Sequence, residues 1–191
     1  MQSSTNLFAP SAVVLIGFMG AGKTSVGRVL ATELGWSFED LDARVERREG
    51  QAVAEIFRNS GEAGFRNAEY AALKELVDGL HAESRKIIAL GGGAFVQPSN
   101  AALIESAKVP TVFLDADVEE LWRRCTHPPE WVGTERPLLG TAGAFRDLYE
   151  LRRPHYSRAS LRQDTSGKTV IEIAAELIQR LKLQRLGPER D

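Results

Sequence analysis

Residues Gly17 to Thr24 read Gly-Phe-Met-Gly-Ala-Gly-Lys-Thr and fit the phosphate-binding pattern G-x-x-x-x-G-K-[ST]. Glycines at 17, 20 and 22 let the backbone curl so that successive N–H groups turn inward on an anion. Lys23 adds a mobile positive charge able to follow the β- and γ-phosphates during transfer. The Thr24 hydroxyl is placed to ligate a Mg²⁺ that bridges the same oxygens. Gly20, Ala21, Gly22, Lys23, Thr24 and Ser25 are therefore the candidate nucleotide contacts. A dinucleotide fingerprint does not fit, because the glycines run G-x-x-G-x-G and the Lys-Thr pair has no role in that site.

Five further signals accompany this loop. In Phe38-Glu39-Asp40-Leu41-Asp42, period-two alternation on an extended segment puts both aspartates on one side. One could then hold a Mg²⁺-bound water and the other face an acceptor hydroxyl; a helix cap is the competing reading. In Gly61 to Glu69, Arg66 and Glu69 stand one helical turn apart and can pair, fixing a guanidinium for a planar anion. The same spacing also suits a plain surface ion pair. Gly91-Gly92-Gly93 after an apolar run gives up chain entropy that a simple turn does not require, which points to close approach of a ligand to backbone. Arg136-Pro137-Leu138-Leu139 offers an arginine on a loop able to close over a transferring phosphoryl group. Arg152 stands one turn before Tyr156, among Arg146, Arg153 and Arg158.

These residues need elements to carry them. Apolar runs at Ala12 to Ile16, Lys86 to Leu90 and Thr111 to Leu114 read as buried parallel strands, with weaker strands at Ser37 to Glu39 and Ser160 to Gln163. Helical periodicity marks Ser25 to Leu34, within a helix starting at roughly Lys23, and also Glu62 to Leu80 and Val170 to Leu183. The alternation argues an α/β parallel sheet covered on both faces. With 191 residues and 43% hydrophobic content, one domain over 1–191 is expected, with a core at about 12–183 and loose tails at 1–10 and 187–191. Prolines and glycines break the pattern from Cys125 to Gly143, which reads as a mobile loop over the site.

Composition narrows the function classes. With 24 basic against 26 acidic side chains, no net field favours nucleic acid or an anionic membrane. Cys125 is alone, so no internal disulfide forms, and Met1 to Pro10 lacks the pattern of a signal peptide. No run approaches the roughly 20 apolar residues of a membrane span. The expectation is a cytoplasmic protein with small-molecule partners, and a monomer. His81, His127 and His155 lack metal-ligand spacing, and Trp36 and Trp122 read as packing residues, while Trp131 sits in the lid.

Taken in order, the phosphate loop, Phe38-x-Asp40-x-Asp42, Gly-Glu-x-x-Phe65-Arg66-x-x-Glu69, Leu90-Gly-Gly-Gly93, Arg136-Pro-Leu-Leu139 and Arg152-x-x-x-Tyr156 resemble the shikimate kinase family, over about Ala12 to Leu181. The resemblance implies a P-loop three-layer sandwich like nucleoside monophosphate kinases, with a five-stranded parallel sheet in order 2-3-1-4-5 and a mobile lid. It implies ATP-dependent phosphorylation of the shikimate 3-hydroxyl, with Mg²⁺, on the route to chorismate and the aromatic amino acids. Carried over, Asp42 accepts the proton of the attacking hydroxyl. Arg66 and Arg152 clamp the carboxylate, and the Gly91, Gly92 and Gly93 turn meets the substrate through backbone N–H. Lys23 and Arg136 act on the phosphoryl group, Thr24 holds Mg²⁺ directly with Asp40 acting through water, and Lys168 lies on the adenine side.

Between Arg124 and Arg136 the chain carries Pro128, Pro129 and Trp131 but no arginine, a departure from the family's adenine-stacking pattern that leaves Arg124, an aromatic or a proline face to take that place. Two other readings remain on the sequence: another small-metabolite kinase such as a gluconate kinase, against which the triple glycine and paired arginines argue, and a non-catalytic sensing module, which would not need Lys23, Thr24, Asp40 and Asp42 together.

Overall fold

The computed structural model describes residues 10–126 and 140–186. Strands β1 (Ala12–Ile16), β2 (Ser37–Asp40), β3 (Lys86–Ala89), β4 (Thr111–Asp115) and β5 (Leu161–Asp164) form one parallel sheet in the order β2-β3-β1-β4-β5, as the family resemblance implies. All five residues of β1 are apolar and buried, and Leu15 stands opposite Ala89 on one side and Val112 on the other. Such runs suit a strand covered on both faces, each buried Leu or Val contributing about 1.5–3 kcal/mol. β2, at one edge, keeps a half-open polar sequence.

Helices α1 (Lys23–Leu34), α2 (Leu41–Glu49), α3 (Val53–Asp78), α4 (Pro98–Ser106), α5 (Val118–Thr126), α6 (Ala142–Tyr156) and α7 (Val170–Arg180) complete the order. The expected helix at 62–80 is the second part of α3. That helix begins at Val53 and is interrupted at Gly61, whose φ of 66° and ψ of −175° break the periodic pattern between the two parts. α7 is capped by Thr169, whose hydroxyl accepts from Glu172 N at 3.2 Å while the Glu172 carboxylate accepts from Thr169 N. Nine-residue helices such as α2, which buries only Leu41 and Val45, carry too few apolar positions to show a stripe in the sequence.

The expected lid was drawn too wide at both margins. Cys125 and Thr126 finish α5, while Ala142 and Gly143 open α6, capped by the Thr141 hydroxyl on Ala144 N at 3.2 Å. Residues 127–139 of that segment, with His127, Trp131 and Arg136, lie outside the described residues, as do most of the expected tails. The chain beyond 183 still docks, since Leu186 N donates to Leu34 O at 2.8 Å and Trp36 Nε1 to Gln184 O at 3.1 Å. Trp36 is buried and Trp122 packs against the core, in keeping with packing roles. Among the described residues no helix is long and apolar enough to cross a membrane.

Candidate active site

The site gathers at the C-terminal ends of β1, β2 and β3, where an open parallel sheet leaves its crevice. Between β1 and α1, Gly20 and Gly22 take φ of 81° and 87°, a conformation that side-chain-bearing residues rarely adopt. A Cβ on Gly20 would also stand 2.7 Å from Leu121 O and 2.9 Å from Cys125 Sγ, so α5 packs directly on the loop. Gly22 precedes α1 and no side chain caps the helix, leaving its first amides and its dipole for an anion. Ala21 is buried, Ser25 is exposed in the first turn of α1, and Lys23 Nζ arches back to donate to Gly17 O and Phe18 O, each at 2.9 Å.

Asp40 and Asp42 do not share a face of one extended segment. Asp40 ends β2 and caps α2, its Oδ1 accepting from Asp42 N at 3.1 Å and Ala43 N at 3.3 Å, while Asp42 lies in the helix's first turn. The helix-cap reading and the site reading are therefore both true of Asp40: its second oxygen, Oδ2, accepts from the Thr24 hydroxyl at 2.8 Å. One hydroxyl and one carboxylate oxygen, side by side at the mouth of the phosphate loop, fit a hard dication that retains most of its water. Burial first, and then the neighbouring Asp40 carboxylate, push Asp42 up to about 6, against the pull of Lys23.

Arg66 and Glu69 pair as expected, Nη1 donating at 3.2 and 3.0 Å to the two carboxylate oxygens. This is no surface pair, since Glu69 is 1% exposed, and its desolvation raises it to about 6. Asn100, also 1% exposed, donates from Nδ2 to Glu69 Oε2 at 3.3 Å and to Ala94 O at 3.0 Å. It thereby ties the end of the glycine turn to the Arg66 support. Arg66 Nε is buried with no hydrogen-bond partner among the described residues.

Gly91 and Gly93 are required for space, not for positive φ. A Cβ on Gly91 would lie 2.5 Å from Asp42 Oδ1, and one on Gly93 2.8 Å from Arg66 Nη2. The turn thus lets a carboxylate and a guanidinium from two different helices close on the same few ångströms of backbone. From the far side comes Arg152 of α6, whose Nη1 would stand 3.9 Å from a Cβ on Gly92 and whose Cζ lies 6.0 Å from the centre of the Phe18 ring. Phe18, inside the phosphate loop, meets Phe145 and Tyr149 of α6 edge-on at 4.9 and 5.5 Å, so α6 and the loop share an aromatic cluster.

The structure therefore brings Lys23, Thr24, Asp40, Asp42, Arg66, the glycine turn and Arg152 around one crevice, while Arg136 lies outside the described residues. Lys168 sits farther off, its Nζ donating to Glu176 Oε2 at 2.8 Å. Arg124 binds the same turn through Thr165, at 3.1 Å to the hydroxyl and 2.8 Å to the carbonyl. A cavity of about 500 Å³ opens beside Lys168 at the β5 edge, with Asp115, Tyr149, Arg153 and Arg162 in its wall; it shares no residue with the phosphate loop. Asn100 and Phe18 were not singled out from sequence. Asn100 carries no motif, and only the buried acid it touches reveals its task.

The shikimate kinase family model matches residues 19–182. A shikimate kinase of Geobacter metallireducens is 39% identical over 182 residues, covering 92% of this chain and 96% of the relative. One of Ruegeria pomeroyi is 42% identical over 163 residues, covering 84% and 78% respectively. The solved shikimate kinase from Acinetobacter baumannii in complex with shikimate superposes with a TM-score of 0.81 at 32% identity, over 92% of this chain and 94% of that one. Agreement in sequence over most of the length, and in the path of the sheet, leads to one assignment: the chain belongs to the shikimate kinase family.

Proposed function

We propose that this protein transfers the γ-phosphoryl group of ATP to the 3-hydroxyl of shikimate, giving shikimate 3-phosphate and ADP. One observation carries the reading most directly: Asp42 and Arg66 close on the Gly91–Gly93 turn beside the phosphate loop, so a base and a carboxylate partner flank the place where an acceptor acid would lie. A carboxyl raised to about 6 is matched to accepting a hydroxyl proton near neutral pH. Arg66, steadied by Glu69, and Arg152 hold the acid's carboxylate, which in a water-poor crevice needs such partners.

In-line transfer then depends on positioning and charge neutralisation. The Gly20–Thr24 amides cradle the phosphates, and Lys23 leaves its resting carbonyls to follow the γ-phosphoryl group. Thr24 and, through water, Asp40 are the residues that would hold Mg²⁺, which supplies charge neutralisation at the β- and γ-oxygens. As the acceptor oxygen bonds to phosphorus, its proton passes to Asp42 and the bond to the ADP oxygen breaks. Arg136 comes down from the lid onto phosphate and substrate, and Lys168 serves the adenine side together with Ser25 near the phosphates. The protein works as one kinase unit over 1–191, in the cytoplasm, as a monomer, on the route to chorismate and aromatic amino acids. Its partners are shikimate and ATP, with neither nucleic acid nor membrane, in line with a formal net charge of −2.

The test is ADP release from MgATP with and without shikimate, beside quinate, gluconate and a nucleoside monophosphate. Shikimate-dependent release is the expected result. Shikimate binding without turnover would support a sensing module instead, and gluconate as the acceptor would overturn the substrate assignment while leaving the fold in place.

A further inference from the structure

Tyr156 belongs to the motif that includes Arg152, yet the reaction above gives it no task. It is 1% exposed at the end of α6, with its ring tilted against Phe113 at 5.4 Å between centroids. Its hydroxyl donates to the carbonyl of Gly92. The Arg152 side chain, one turn earlier, is near enough for its charge to act on the same phenol, and its Nη1 reaches the neighbourhood of Gly92. A phenol oxygen thus stands at the middle of the glycine turn with an arginine of the crevice beside it.

Backbone bonds hold the carbonyls on either side, Ala94 N donating to Gly91 O at 3.1 Å and Val96 N to Gly93 O at 3.3 Å, and the Gly92 carbonyl between them is left to Tyr156. Three consecutive glycines have more conformational freedom than any other tripeptide and offer no side chain to pack. The amide N–H groups of Gly91, Gly92 and Gly93 donate to none of the described residues. A peptide unit is planar and trans, so fixing the direction of the Gly92 carbonyl fixes the Gly93 N–H in the opposite direction. Asn100 restrains the chain just after the turn through Ala94 O, and the contact from Tyr156 falls inside it.

We propose that Tyr156 is a positioning residue for the acceptor: its hydroxyl, held on the Gly92 carbonyl with Arg152 beside it, sets the Gly92–Gly93 peptide plane in register with the Arg152 guanidinium for the acid. The inference rests on the reading that the acid lies over the Gly91–Gly93 turn. Burial pushes the phenol up to about 12, so it remains a protonated donor throughout the working range. Tyr156→Phe removes the hydroxyl and keeps the ring on Phe113.

The experiment is steady-state kinetics of Y156F below its melting midpoint, beside Arg152→Lys, the double variant, and Phe113→Leu as a packing control. In Y156F, kcat/KM for shikimate is expected to fall about tenfold or more while KM for MgATP stays within about twofold. The double variant should lose less than the product of the two single losses, because both act at the same Gly92 turn. Phe113→Leu should lower the melting temperature while leaving kcat/KM for shikimate within about twofold of wild type. Wild-type kcat/KM in Y156F, equal losses toward shikimate and MgATP, or strictly multiplicative losses would each overturn the proposal. If Arg152→Lys also leaves shikimate kinetics unchanged, the placement of the acid has failed as well; shikimate-dependent ADP release by the wild type then shows separately whether the kinase reading stands.

Discussion

The two halves of the crevice are built in different ways. The proposed phosphate half is one stretch of consecutive residues, Gly17 to Thr24, which offers backbone amides and one lysine. The proposed acceptor half is collected from Asp42 on α2, Arg66 on α3, the glycine turn after β3 and Arg152 on α6. The first is set by local conformation, with Gly20 and Gly22 in left-handed geometry. The second is set by buried polar contacts far apart in sequence, Glu69 with Asn100 on one side and Tyr156 on the other. Substitutions remote from the chemistry should therefore damage acceptor binding selectively and leave nucleotide binding almost untouched.

The largest effects should fall where both halves meet. Lys23→Met is expected to lower kcat by about 10³-fold or more, with shikimate affinity retained in a binding titration. Turnover within tenfold of wild type would remove Lys23 from the transfer step. Asp42→Asn should lower kcat by roughly 10² to 10⁴, the usual span for a general base. An effect confined to KM would make it a binding residue only.

A sharper contrast comes from Arg66→Ala. Loss of a buried, hydrogen-bonded charge partner costs about 2 kcal/mol or more, or roughly 30-fold in KM for shikimate, while KM for MgATP should not move. Equal changes in both constants would erase the distinction between the halves.

Glu69→Gln tests the support beneath Arg66 by pH. Burial raises the folded-state value of Glu69 to about 6, above its ordinary 4.5, so folding disfavours the ionised form. Its contribution is most favourable below pH 4.5 and is lost as pH climbs through 6, by up to about 2 kcal/mol. The glutamine variant should show a flatter thermal-stability profile across that window; an unchanged slope would mean that Glu69 does not titrate there.

The smallest kinetic effect is expected for Asp115→Asn. This acid, 2% exposed, accepts from Tyr149 at 2.9 Å and Arg162 at 2.8 Å at the β4–β5 edge, away from both halves. Stability should drop by about 1–3 kcal/mol, with both KM values near wild type. A selective rise in KM for shikimate would show coupling through Tyr149 and Phe18.

Much of this architecture was legible before any coordinates. Three central strands follow from short apolar runs, the polar edge strands β2 and β5 only as weaker candidates beside them, and the phosphate loop from a spacing that few other backbones require. The pairing of Arg66 with Glu69 follows from one helical turn, although its depth does not. Asp40 was harder: period-two reasoning put it on a face shared with Asp42, but the strand ends at Asp40 and α2 begins at once, so alternation stops between them. α2 was missed as a helix because nine residues with two buried positions leave little stripe, while the helices after β3 and β4, α4 and α5, follow from strand–helix alternation without their bounds. The triple glycine pointed to close approach, and the groups that approach are Asp42 Oδ1 and Arg66 Nη2.

The order of chemistry along the chain is thus a property of the sequence alone: a phosphate cradle, a pair of acids, an arginine with its glutamate, a glycine turn and a second arginine. Local spacing suffices for these because backbone curl and helical pitch act over a few residues. Which buried groups hold them in place was decided only in three dimensions. Asn100 meets Glu69 across 31 positions and Tyr156 meets Gly92 across 64. Contacts of that span leave no local pattern, since they exist only when packed helices force unpaired polar atoms to find one another.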